Sequence, residues 1–140
     1  MPSSSRLWIL LAALAGASGV GFAAYTSHGL GFIADPAARE AARASMQSAV
    51  NMQLWHALAL LGVGLWSALR PHGRGQHLAG LLFAIGIVLF SGLIYWNTLS
   101  GHGALRFLVP WGGTSLILGW LTMGAAALLT RRGRSAATYS

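Results

Sequence analysis

The residues able to do chemistry in this 140-residue sequence are few. They are His28, His56 and His102, the carboxylates Asp35 and Glu40, and Gln53, Ser91 and Tyr95, the last three and His56 inside otherwise apolar runs. Neutral imidazole is a favoured ligand for zinc, copper and haem iron, so convergence of His28, His56 and His102 would make a metal or haem site. They stand on separate segments with no His-x-x-x-His pair, and no metal or cofactor is expected. A proton relay usually places a carboxylate in the membrane, whereas Asp35 and Glu40 both fall outside the apolar runs. Hydrolase chemistry would leave Ser91 and His56 without an acidic third member. With no Lys in the chain, a phosphate-binding glycine loop is also excluded. The alternative is structural, a hydrogen-bonded knot in which Tyr95 and Gln53 satisfy His56.

Such residues need elements to hold them, and the composition says which. Only 8% of residues are charged against 55% hydrophobic, while soluble chains carry about 25% charge. The absence of Cys removes disulfides, thiolate metal sites and iron–sulfur clusters. The net charge of +7 comes from arginine alone. These arginines cluster at segment ends, so membrane orientation explains them better than nucleic acid does.

Four stretches without Asp, Glu, Lys or Arg are long enough to span as helices, at residues 7–26, 48–69, 78–99 and 108–130. The expectation is an all-α integral membrane protein, a single four-helix bundle with no sizeable extramembrane domain. Asp35-Pro36 looks like a helix start. Residues 36–47 should therefore form an amphipathic N-terminal extension of the second helix, with Arg39, Arg43, Gln47 and Asn51 on one stripe and Glu40 spaced to pair with Arg43. Arg6, Arg70, Arg74, Arg131, Arg132 and Arg134 share one side of the bilayer, the last three in a basic tail over 131–140. By the positive-inside rule both termini are cytoplasmic. Arg6, the apolar run and Ala15-Gly16-Ala17 also resemble a cleavable signal, but the run continues to Ala24, which suits a retained span.

Within the first span Ala13, Ala17 and Gly21 repeat every four residues, as do Ala15, Gly19 and Ala23. Small residues at this spacing let helices approach closely in lipid, and the expected use is the internal bundle. On the second helix Gln53 and His56 lie within roughly 60° of each other and away from Gln47 and Asn51. They should look inward and meet Tyr95 and His28 near one level. Trp8, Trp66, Trp96 and Trp111 fall at span ends, where aromatic belts form, while Trp55 and Trp120 lie deeper. Pro110-Trp111-Gly112-Gly113 suggests a close-packed or kinked start to the fourth span.

Four local strings occur in order across the spans. They are His28-Gly29-Leu30, the run from Gln53 through His56 to Leu61, Phe90-Ser91-Gly92-Leu93-Ile94-Tyr95, and Pro110-Trp111-Gly112-Gly113 followed by Gly119-Trp120. Together they resemble the family called domain of unknown function 423, which also takes in transmembrane protein 256, from about Leu7 to Leu129. The resemblance implies a small four-helix protein of the bacterial inner membrane with no established enzymatic activity. It carries over His28, Gly29, Gln53, His56, Ser91, Gly92, Tyr95, Pro110, Gly112 and Gly113 as motif positions. Tyr25-Thr26-Ser27 and the arginine-rich tail depart from that pattern. The functional expectation is a non-enzymatic structural or accessory subunit, partnered by the bilayer and by another membrane protein or a second copy. A small-ligand, haem or metal site at an outer-leaflet cluster of His28, Gln53, His56, Ser91 and Tyr95, or a small transporter, is the alternative.

Overall fold

The computed structural model describes residues 2–70 and 73–137, with side chains as far as Leu129. Helix α1 (Ser3–His28) closes in a 3₁₀ turn at Gly29–Phe32, and α2 runs unbroken over Pro36–Leu69. The third span is composite: α3 (Arg74–Ile87), a π-helical turn at Val88–Gly92, and α4 (Leu93–Ser100). A second 3₁₀ turn, Arg106–Leu108, leads into α5 (Val109–Ala137). No strand occurs among the described residues. Four helical stretches are long and apolar enough to cross a membrane: Ser3–Phe32, Pro36–Leu69, Arg74–Ser100 and Arg106–Leu129. They outrun the uncharged segments because a helix has no reason to end at a charge that can reach water along its stem. Helix α5 likewise continues past its uncharged run to Ala137, so the basic tail begins within it. Met1, Pro71, His72 and residues 138–140 lie outside the described residues.

The start of α2 is built as its sequence requires. Asp35 is extended (φ −69°, ψ 122°), Pro36 occupies the first turn, and the Asp35 carboxylate accepts from the Ala38 N–H at 2.8 Å. Arg39 turns back to donate to the Ile33 carbonyl at 2.8 Å, fastening the connection to α1. The anticipated Glu40–Arg43 pair does not form, since both side chains are exposed and such a pair gains little in water. At 34 residues α2 is about 51 Å long, against roughly 30 Å of hydrocarbon. Its Asp35 end therefore stands clear of the bilayer core.

Helix α1 packs along α2 and α3 along α5 as two antiparallel pairs, joined through α2 against the third span. Glycines set the close approaches. Gly64 admits the Ile9 side chain, Gly80 lies under the Trp8 ring, Gly86 meets Leu116 and Gly119 meets the Phe83 ring. At Gly112 the neighbour is backbone: a methyl group there would collide with the Leu89–Phe90 peptide of the π-helical turn. Pro110-Trp111-Gly112-Gly113 is thus a close-packed helix start. Gly113 has only ordinary contact with the Phe90 ring, and Gly92 sits within the π-helical turn without crowding any neighbour.

Two apolar clusters result. Towards the Arg70 end lie Trp8, Ala12, Leu60, Val63, Phe83 and Leu116; towards the Asp35 end lie Leu30, Met46, Ala49, Val50 and Tyr95. Two expectations change. Ala13, Ala17 and Gly21 are exposed on the outside of the bundle, and the alternative α1 face packs inward through Ala12 and Gly19, the latter against Leu54. The two stripes are offset by two residues, a rotation of about 200°, and a small-residue pattern alone does not resolve which of them turns inward. Trp8 is a core residue, 7% exposed, rather than an interfacial anchor; Trp96 and Trp111 are exposed.

Gly112→Ala should lower thermal stability by about 1–3 kcal/mol, because a backbone neighbour cannot swing aside. Gly21→Ala, with nothing within 4 Å of its new methyl, should leave the melting temperature of the detergent-solubilised protein unchanged or slightly raised.

Candidate functional site

Between the two apolar clusters lies a band of polar side chains, carried chiefly by α2. Gln53 and His56, three residues apart, are both buried, but they face different neighbours. The Gln53 amide donates both hydrogens to α1, to the Ala15 carbonyl and to Ser18 Oγ, each at 2.8 Å. His56 faces the other way, its ring set against Phe83 and Trp120 at centroid distances of 5.6 and 6.0 Å. Trp120 Nε1 donates to His56 Nε2 at 3.1 Å. An indole N–H only donates, so Nε2 is the acceptor and the imidazole proton is on Nδ1, which donates to the Met52 carbonyl at 2.6 Å.

That tautomer has a chemical consequence. Both ring nitrogens are committed, so His56 offers no lone pair unless Trp120 withdraws. Among the described residues, no three His, Cys, Asp or Glu side chains gather closely enough to hold a metal ion.

Ser91 and Tyr95 belong to the π-helical turn and the helix after it. Ser91 Oγ donates across to the Ala49 carbonyl of α2 at 2.8 Å. Tyr95 lies flat on Phe22 of α1, with centroids 3.8 Å apart and planes 12° from parallel. Its hydroxyl is buried without a hydrogen-bond partner, as are Ser67 Oγ and Asn97 Oδ1. His28 is exposed at the end of α1, and His102 is exposed with its Nδ1 2.8 Å from the Ser100 carbonyl. The anticipated single knot of His28, Gln53, His56, Ser91 and Tyr95 is therefore divided. Gln53 ties α2 to α1, His56 ties it to α5, Ser91 ties it to the third span, Tyr95 packs on α1 and His28 stands apart. His56 is satisfied by Trp120 and Met52, not by Gln53 or Tyr95, because the two α2 side chains diverge enough to reach opposite helices.

Two tryptophan–histidine bonds escape a reading of the sequence. Besides Trp120 and His56, Trp8 Nε1 donates to His77 Nδ1 at 2.9 Å, joining α1 to α3. The available signal is that an indole N–H in an apolar segment must find an acceptor, and His77 and His56 are the acceptors. Hydroxyl bonds complete the links: Ser5 to the Gly64 carbonyl at 2.9 Å and Ser115 to the Leu82 carbonyl at 2.8 Å.

A family model described as a protein of unknown function, DUF423, matches residues 22–113. The chain belongs to the DUF423 family. Among its relatives, a UPF0382 membrane protein of Staphylococcus epidermidis is 34% identical over 124 residues, covering 88% of this chain and 96% of that one. A UPF0382 membrane protein of Haemophilus influenzae is 31% identical over 116 residues, 83% of this chain and 89% of its own. The UPF0382 inner membrane protein YgdD of Escherichia coli is 29% identical over 133 residues, 94% of this chain and 98% of its own. No solved structure matches. The DUF423 segment takes in His28, Gln53, His56, Ser91, Tyr95 and the Gly112-Gly113 pair, whereas Trp8 and Trp120 fall outside it.

A double-mutant cycle of His56→Leu and Trp120→Phe, read from unfolding in detergent, should give a coupling of about 0.6–1.7 kcal/mol, the range of interhelical hydrogen bonds in membranes. Each single variant leaves one polar partner unsatisfied and should be less stable than wild type. A zero coupling would mean that the Trp120–His56 bond adds nothing to the bundle.

Proposed function

We propose that this chain is a non-catalytic protein of the bacterial inner membrane that acts as an accessory subunit, presenting the outer face of α1 to a transmembrane helix of a larger membrane protein. The exposed stripe of Ala13, Ala17 and Gly21 carries this proposal. Small residues four apart allow backbones to approach closely, which is the main source of helix association where lipid removes the hydrophobic driving force. Beside the stripe runs an almost wholly apolar groove of about 350 Å³ between α1 and α2, lined by Ile9, Ala13, Gly16, Leu54, Leu58 and Leu61. A methyl group added at Gly16 or Gly21 would meet nothing within 4 Å. Within the chain nothing obstructs the Gly16 and Gly21 positions of α1, and the groove beside the stripe runs along its seam with α2.

Two further observations support a binding rather than a chemical role. The buried polar groups are engaged chiefly in joining helices, and the chain has only two carboxylates, both beyond the apolar runs. The clustering of Arg6, Arg70 and Arg74 at one end of the bundle supports cytoplasmic termini.

The lack of native cysteine makes single-cysteine variants clean reporters. Ala17→Cys should cross-link in native membranes to a second polypeptide, and adding Gly21→Ile should abolish that adduct while leaving the helical content unchanged. An adduct of twice the chain mass would replace the larger partner with a second copy. No adduct, or one indifferent to Gly21→Ile, would overturn the α1 assignment. For orientation, a membrane-impermeant thiol reagent should label Ala104→Cys in intact cells; protection there with labelling only after permeabilisation would invert the topology.

A further inference from the structure

At the Asp35 end, away from α1, a crevice of about 630 Å³ opens between the first part of α2, α4 and the start of α5. Its lining mixes apolar residues, Ile33, Ile94 and Val109, with polar ones, Ser45, Ser48, Asn97, Thr98 and Arg106. No carboxylate lines it. Of the two acidic residues of the chain, Asp35 caps α2 and Glu40 is exposed, and neither is among the lining residues. The Arg106 guanidinium is therefore a positive charge without an acidic neighbour in this crevice.

The hydroxyls here behave differently from many in the bundle. Ser18, Thr26, Ser27, Ser100 and Thr114 each donate to the carbonyl one helical turn back, and Ser5, Ser91 and Ser115 donate across to another helix. Ser45, Ser48 and Thr98 do neither, and Asn97 Oδ1 is buried without a partner. The crevice thus collects three uncommitted hydroxyl donors, an amide and a guanidinium, in a cleft half apolar in its walls. The first turn of α5, with Val109 and Pro110 in the lining, adds the positive end of a helix dipole.

We infer that this crevice binds a phosphate oxyanion, with Arg106 supplying the charge-assisted fork, the Ser45, Ser48 and Thr98 hydroxyls supplying neutral donors, and Ile33, Ile94 and Val109 offering apolar surface to the carbon chain attached to the phosphate. A guanidinium matches paired phosphate oxygens in plane. The crevice opens at the end of the bundle where α2 leaves the hydrocarbon, so the phosphate of an anionic phospholipid headgroup reaches it at its natural depth; soluble phosphate presents the same oxygens. The inference is separate from the α1 face, since no α1 residue lines the crevice, and either assignment can fail alone.

The test is native mass spectrometry of the purified full-length chain, offered phosphatidylglycerol, phosphatidylcholine or inorganic phosphate. Wild type should retain one phosphatidylglycerol in clear preference to phosphatidylcholine, and Arg106→Gln should lower that retention about tenfold or more, as expected for loss of a charge-assisted bond. Arg43→Gln, on an exposed α2 position outside the lining, should leave retention unchanged, which separates the crevice from general surface charge. The paired variant Ser45→Ala and Ser48→Ala should weaken retention less than Arg106→Gln does. Retention that millimolar phosphate does not displace assigns the site to the lipid. Binding of phosphate with no lipid retained assigns it to the soluble anion. If wild type retains neither, or if Arg106→Gln binds as wild type does while circular dichroism shows it folded, the inference is wrong.

Discussion

Inside hydrocarbon there is no water to complete a hydrogen bond, so polar atoms carried into the bilayer core need partners within the protein. Helix formation satisfies the backbone, but it leaves the side chains of Ser5, Gln53, His56, Ser91, Ser115, Trp8 and Trp120 to be matched. This chain matches them between helices, using backbone carbonyls at Gly64, Ala15, Ala49 and Leu82 and imidazole nitrogens at His77 and His56. Each bond requires two helices at a defined rotation and depth, so the set fixes how the helices face one another. Packing then follows, with glycine wherever an aromatic ring or a backbone must come close.

The glycine contacts and the polar bonds reinforce one another. The close fit of Gly112 against the Leu89–Phe90 peptide brings α5 onto the π-helical turn, and that turn carries Ser91 to α2. Further along the same helix, Gly119 lies under the Phe83 ring. Trp120 follows at once and meets both Phe83, at 5.1 Å between centroids, and His56. A small residue next to a large one thus sets the depth at which the indole finds its acceptor.

Much of this architecture is legible in the residues alone. The uncharged runs mark four spans, Asp35-Pro36 marks the start of α2, and the diverging stripes of Gln47/Asn51 and Gln53/His56 separate its outer from its inner face. Rotation and pairing are harder. Ala13-Ala17-Gly21 and Ala15-Gly19-Ala23 are equivalent patterns on one helix, and only the position of Leu54 on α2 decides which turns inward. The Trp120–His56 bond spans 64 residues of sequence and has no local signature. Carbonyl acceptors are invisible to side-chain motifs, so polar residues seem to need one another when each has found a backbone.

The two helical pairs are made from parts of the chain that leave the ribosome at different times. All the residues of α1 and α2, including Gln53 and its partners Ala15 and Ser18, are synthesised before Trp120. At about 5–20 residues per second, the 64 residues between His56 and Trp120 take about 3–13 s to synthesise. During that interval an imidazole destined for the apolar interior has its Nε2 open. The first hairpin must therefore wait at the insertion machinery, or keep water at that nitrogen, until the last helix arrives.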